Sequence, residues 1–257
     1  MDRAAANSIY PVLKPLADCR LYTFVDTGFL AGRDPRQIAR DLCAGGADII
    51  QLRAKDRPVE EIRSMAEGLL PITQAAGVWL VINDHVGVAL QVGAPACHLG
   101  QEDFLESKEP EAKCLTPARA PLSFGLSTHA PDQAVRALAA GAHYLAVGPV
   151  FATGTKPSAR PVTLDYVRWA ADHIRVPWFA IGGITLGNVR SVLAAGARRI
   201  CVVSAILNSG DIAAACREFK IGRASCRERV EDSVVAGAIN KKESTSSTKL
   251  VELNGRR

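Results

Sequence analysis

The chain has 257 residues, 48% of them hydrophobic, and a formal charge of +5. No apolar run approaches the roughly 18 residues that a membrane helix needs, and the opening "MDRAAANSIYPVLKPLADC" has no apolar signal core, so a cytoplasmic protein with no membrane partner is expected. Of the charge, +3 lies after Lys220, where eight Lys/Arg stand against five Asp/Glu, and the remaining +2 forms no basic stripe with interleaved aromatics, which argues against a nucleic-acid partner.

Residues 1–20 precede the first patterned segment and read as an N-terminal extension. "LYTFVD" (21–26) is the first strand, followed by a helical pattern over 35–44. "GGADIIQLRAK" (45–55) carries the second strand. Its alternation puts Gln51, Arg53 and Lys55 on one side, either as a surface ion-pair cluster or as an anion site. A helix over 58–76 leads to "VWLVIN" (78–83), with Asn83 and Asp84 at its end. Both residue types favour helix N-caps, so a capping role and a ligand role stay open. "VGAPACHLGQ" (92–101) is the fourth strand and runs into Gln101, Glu102 and Asp103. Asp84 and Asp103 thus leave neighbouring strands at the same edge. Two adjacent carboxylates repel unless a cation lies between them. An oxygen-only pair suits Mg²⁺, which keeps waters and takes one or two carboxylates plus substrate phosphates.

The segments near 85–92 and 108–119 are short or weak helical patterns. "LSFGLS" (122–127) ends at Ser127, a hydroxyl able to meet a phosphate oxygen. His129 reads as an exposed residue ahead of a helix over 131–140 rather than a ligand contact. "AGAHYLAVGP" (140–149) is the sixth strand, and it opens into "GPVFATGTKPSARP". That loop sets Thr153, Gly154 and Thr155 beside Lys156, which suits an anionic ligand under a cover, or a plain connector. A helix over 164–173 precedes "WFAIGG" (178–183), where Gly182 and Gly183 let backbone amides approach a ligand. A helix over 186–195, then "AGARRICVVS" (195–204), bring Val203 and Ser204 to the last strand end, before a helix over 211–219. Loops after the seventh and eighth strands of barrels often form a phosphate site. The edge therefore reads as two anion sites.

Seven cysteines, an odd number, show neither CxxC nor zinc spacing. Cys43, Cys97, Cys201 and Cys216 read as reduced core residues. Residues 221–257 are polar and weakly patterned, a composition of disorder. Their start, "IGRASCRERV", resembles an in-frame translation of a sequencing-adapter end, so the segment is read as a non-native tail and given no chemistry.

Four of these stretches share Gly-Ala, a variable residue and a short apolar strand. The pairs begin at 46, 93, 141 and 196, and the Gly suits the left-handed C-cap of a preceding helix. A strand-plus-helix unit takes about 25 residues, so each interval holds two units. Eight strands alternating with helices imply a parallel sheet closed as a (β/α)₈ TIM barrel over 21–220. An open doubly wound sheet is the alternative, disfavoured because no GxGxxG follows the first strand.

The order QLRAK, IND, HLGQEDF, GLSTH, GPVFATGTK, IGGI, VVSAI resembles the thiamine-phosphate synthase family, from about Leu21 to about Phe219. The resemblance implies a transferase joining a hydroxymethylpyrimidine diphosphate to a thiazole phosphate, two phosphorylated small molecules, with Mg²⁺ as cofactor and a possible homo-oligomer. It implies pyrimidine-diphosphate contacts from Gln51, Arg53, Lys55, Asn83, Ser127 and Lys156, with Leu52 and Ala54 in the same segment. Arg53, Lys55 and Lys156 would carry the catalysis. Asp84 and Asp103 would bind Mg²⁺. Thr153, Gly154, Thr155, Gly183, Val203 and Ser204 would hold the thiazole phosphate. Two positions depart from the family pattern: His85 and Gly87 stand where Arg and Asp are expected. "FVD" replaces "VTD" in the first strand, a change read as remote from the ligands. The competing readings are a related thiazole tautomerase using His129, and a phosphate-binding regulatory protein without turnover.

Overall fold

The computed structural model describes residues 11–100, 122–154 and 160–220. Each Gly-Ala pair ends a helix and launches a strand. Gly46, Gly93, Gly141 and Gly196 all have positive φ, which an L side chain would resist. The strands that follow are β2 (Ile49–Arg53), β4 (Ala96–Leu99), β6 (Tyr144–Val147) and β8 (Ile200–Cys201). Between them lie β1 (Leu21–Asp26), β3 (Trp79–Asn83), β5 (Ser123–Thr128) and β7 (Trp178–Ile181). All neighbours pair in parallel and β1 also pairs with β8, so the eight strands close into a barrel. The TIM-barrel expectation holds.

Helices cover the outside: α1 (Pro35–Ala44), α2 (Val59–Ala75), α3 (Val86–Val92), α4 (Pro131–Ala139), α5 (Thr163–His173), α6 (Val189–Ala194), α7 (Ser204–Leu207) and α8 (212–220). α6 begins three residues later than its apolar pattern. Asn188 folds back there instead, accepting from Thr185 N–H at 2.8 Å and donating to the Gly183 carbonyl at 2.8 Å. The weak pattern after β3 is a real helix of seven residues. The segment 108–119 and the tail 221–257 lie outside the described residues.

Inside the barrel, alternation sorts the residues into layers. Tyr22, Tyr144 and Phe179 form an aromatic floor. Tyr22 meets Phe179 edge-on at 5.3 Å, and Tyr144 meets Phe179 at 6.0 Å. Gly125 on β5 makes room for this floor, since a Cβ there would stand 2.1 Å from the Tyr144 ring. Next along each strand, toward its C-terminal end, come Phe24, Gln51 and Ser127, and this layer opens to solvent.

Residues 11–20 are tied to the opposite, N-terminal end of the barrel. Asp48, 3% exposed, accepts from Lys14 Nζ at 2.7 Å and from the Arg20 and Leu21 N–H groups at 2.8 and 3.0 Å. Trp79 Nε1 donates to the Lys14 carbonyl at 2.8 Å. The second half of the expected extension therefore packs on the barrel. No helix among the described residues is long and apolar enough to cross a membrane. Five cysteines (19, 43, 97, 201 and 216) are free thiols, and burial pushes the Cys97 thiol up to about 12.

Candidate active site

The strand C-termini surround a cavity of about 730 Å³. On the β2–β5 arc it is lined by Gln51, Arg53, Lys55, Asn83, Asp84, His98 and Ser127. On the β6–β8 arc it is lined by Thr153, Gly182, Gly183, Val203 and Ser204, with Arg160 at its mouth. Parallel strands all point the same way, so their C-terminal side chains converge on one rim whatever their distance in sequence.

Gln51, Arg53 and Lys55 do face inward together. Leu52 and Ala54 are buried on the other side of the strand and do not line the cavity. Gly154 is also absent from the lining, with open space where a Cβ would stand. Asp103, Thr155 and Lys156 lie outside the described residues.

Arg53 is more constrained than its sequence context suggests. Its Nη1 donates to Asp26 Oδ2 at 2.8 Å, and Asp26 is only 1% exposed. The other Asp26 oxygen accepts from Gly28 N–H at 2.9 Å. Asp26 is common to "FVD" and "VTD"; of the changed positions Phe24 lines the cavity, so the reading of that change as remote from the ligands needs correction there. Register places Asp26 directly beside Arg53, where it fixes the guanidinium.

Asp84 settles one open alternative. The residue capping α3 is His85, and no side chain bonds the helix N-terminus there. Asp84 instead accepts from Asn83 Nδ2 at 2.6 Å and stands 3.5 Å from Lys55 Nζ. Its φ of 62° is in the left-handed region, which costs a non-glycine residue roughly 1 kcal/mol or more. The backbone is thus held in a costly form that turns the carboxylate to the rim rather than to the helix. Among the described residues no cluster of three or more His, Cys, Asp or Glu could hold a metal. One rim carboxylate whose second oxygen has no partner among the described residues fits a hard cation that keeps waters and shares substrate phosphates. It does not fit a closed structural site.

His129 also needs correction. It lines the cavity, its Nδ1–H donates to the Gly148 carbonyl, and its backbone N–H donates to Gln133 Oε1 at 2.6 Å. On the other arc, Gly182 and Gly183 have φ of 101° and 63°. A Cβ on either would stand within 2.5 Å of the 149–152 backbone, so the chain there passes close enough to present bare amides.

Sequence reasoning misses His98. It is 7% exposed, with Ser127 Oγ 3.0 Å from Nε2 and the Tyr144 hydroxyl 3.2 Å from Nδ1. Burial pulls its pKa from 6.5 to about 4, against the pull of nearby Asp84. The chain continues from Tyr144 to the Tyr22 hydroxyl at 3.2 Å and from there to Gln51 Nε2 at 2.7 Å. A histidine in an apolar strand gives no local sign of such partners.

The closed parallel barrel, with cations, a carboxylate, hydroxyls and bare amides around one cavity, defines an α/β-barrel enzyme of small molecules. Comparison with known proteins makes the class specific. The family model for thiamine monophosphate synthase matches residues 21–206. A thiamine-phosphate synthase of Thermus thermophilus is 46% identical over 182 residues, spanning 69% of this chain and 83% of the relative. One from Methanospirillum hungatei is 41% identical over 203 residues, spanning 79% and 96%. The solved thiamine phosphate pyrophosphorylase of Pyrococcus furiosus superposes with a TM-score of 0.71 at 30% identity, covering 82% of this chain and 98% of that one. A 3-hexulose-6-phosphate synthase, at 18% identity and TM-score 0.55, shares the fold alone. The chain belongs to the thiamine monophosphate synthase family and is a transferase of thiamine biosynthesis.

Proposed function

We propose that the enzyme joins a hydroxymethylpyrimidine diphosphate to a thiazole phosphate, giving thiamine phosphate and diphosphate, or to its carboxylated form, which releases CO₂ as well. The observation that carries this is the division of one cavity between two anion-binding arcs: Arg53, Lys55 and Ser127 on one, and the Gly182–Gly183 amides with Ser204 on the other. A single phosphate ester would need only one arc.

The pyrimidine's amino group feeds electrons into its ring, so the methylene–oxygen bond breaks heterolytically and both electrons leave with diphosphate. The thiazole nitrogen lone pair then bonds to the methylene carbon. With the uncarboxylated thiazole no proton moves, so that step needs no general base. Arg53, locked by Asp26, and Lys55 meet the departing charge without reorganising. Gln51 and Asn83 orient the pyrimidine, while Thr153, Gly183, Val203 and Ser204 hold the thiazole phosphate so that its nitrogen faces the methylene. Lys156, Thr155 and Gly154 are assigned to the same loop by the family motif. Asp84 and Asp103 would hold Mg²⁺, which when bound supplies counter-charge to the diphosphate. We place the reaction in the cytoplasm.

The test is diphosphate release measured with each substrate alone and with both, with and without Mg²⁺. Release that needs both substrates and Mg²⁺ is expected. Isomerisation of a thiazole without diphosphate release would point to His129 chemistry instead, and binding without turnover to a regulatory protein.

A further inference from the structure

Five side chains from five strands form one continuous hydrogen-bonded chain beneath the cavity: Gln51, Tyr22, Tyr144, His98 and Ser127. Its two ends, Gln51 and Ser127, are the candidate substrate contacts. His98 lines the cavity but is only 7% exposed, and Tyr22 and Tyr144 are buried and do not line it. We propose that His98 is a positioning residue whose Nε2–H tautomer, set by this chain, makes the Ser127 hydroxyl a donor into the cavity.

The direction follows from counting protons. Gln51 Nε2 donates to the Tyr22 oxygen. Tyr22 then has one proton, and Tyr144 is the acceptor beside it. Tyr144 in turn has one proton, and it points at His98 Nδ1. An imidazole that accepts at Nδ1 carries its proton on Nε2, and Nε2 faces Ser127 Oγ. Ser127 thus accepts from within the protein and keeps its own proton for the cavity. Reversing any single link leaves a buried hydroxyl proton without an acceptor, which is costly. Reversing every link would require the Gln51 amide to turn over. Ser127 would then spend its proton on His98 and offer an anion only lone pairs. A neutral ring is necessary in either direction. The site provides it, since among the described residues the two nitrogens meet only the Tyr144 and Ser127 hydroxyls and the ring is buried.

The order also explains why a phenol network lies under a polar site. Each hydroxyl polarises the next in the same sense, so the Ser127 proton is presented before substrate arrives. The inference rests on the reading of Ser127 as a diphosphate contact, and the two fail differently. If that reading is wrong, Ser127→Ala leaves the pyrimidine KM unchanged. If the inference is wrong, the tautomer is wrong in the resting protein, with no substrate present.

The experiment has two arms. In ¹⁵N-histidine-labelled protein, two-bond proton–nitrogen spectra report which His98 nitrogen carries the proton, with His98→Gln used to assign the signal. Protonation at Nε2 with a bare Nδ1 is expected; the opposite tautomer would overturn the proposal. In the kinetic arm, Tyr144→Phe cuts the chain one link away and should raise the pyrimidine-diphosphate KM about threefold to tenfold, with a smaller change in kcat. Added to Ser127→Ala, it should raise KM no further, because the hydroxyl it orients is gone. Fully additive KM effects would mean that the chain acts only through stability, and would overturn the proposal.

Discussion

Asp84 carries the most specific claim at the scale of single residues. Its exposed pair with Lys55 contributes little to stability, and it caps no helix. Asp84→Asn should therefore leave Tm nearly unchanged. It should raise the Mg²⁺ concentration needed for half-maximal rate and lower kcat on the order of a hundredfold. Adding Asp103→Asn should cost less than the sum of the two, since both would act through one ion. A Mg²⁺ titration of diphosphate release checks this, and an Asp84→Asn enzyme with normal Mg²⁺ dependence would remove the metal assignment. The residues at strand ends were readable because alternation and the parallel sheet together fix which side chains meet. What stayed hidden was lateral pairing. Asp26 lies 27 residues before Arg53, and Tyr144 lies 46 residues after His98. Nothing local in "FVD" or "CHL" marks those partners; the register of closed strands supplies them.

The Gly-Ala repeat is what made the barrel legible among the elements. A glycine that must turn left-handed at each helix end is a backbone requirement, and it recurs at each such junction. Element ends were less readable where side chains competed with the helix, as Asn188 does ahead of α6. Gly125 shows a second glycine role that the repeat does not contain: it yields volume to Tyr144. Gly125→Ala overfills the floor, which typically costs about 1–3 kcal/mol. At roughly 2–4 °C per kcal/mol for a domain of this size, Tm should fall by several degrees. If the Tyr144 ring is displaced, the pyrimidine KM should rise as in Tyr144→Phe. Calorimetry and steady-state kinetics on one preparation would check both. An unchanged Tm would show that the floor has slack that the packing does not reveal.

For the whole molecule, the candidate site lies at one end of the barrel and the tie to segment 11–20 at the other. Asp48 gathers the segment 11–20, the start of β1 and the end of α8: Lys14 at 2.7 Å, the Arg20 and Leu21 amides, and Lys220 at 3.5 Å. Cys19 lies nearby as a neutral thiol, raised to about 12 mainly by burial. Burial alone would raise the Asp48 pKa, but the Lys14 bond, the two amides and Lys220 outweigh it, so it lies below its ordinary 3.8. The folded state therefore holds this proton less tightly than the unfolded chain does. The stabilisation is complete above 3.8 and is lost as pH falls through the lower, folded value. Asp48→Asn removes the charge and keeps the shape. At neutral pH it should cost about 1–3 kcal/mol, because Lys14 and the two amides lose a charged acceptor. The gap between variant and parent should then narrow as pH drops below 3.8, since the parent's carboxylate becomes neutral too. Denaturant unfolding of both proteins at neutral pH and at steps below 3.8 measures that gap directly, and effects of the other carboxylates cancel in the difference. A gap that stays constant with pH would mean that Asp48 acts through shape alone, and that the N-terminal segment is held by Trp79 and packing rather than by charge. Since the cavity lies at the other end, the Asp48→Asn enzyme should keep its KM values at neutral pH even as its stability falls.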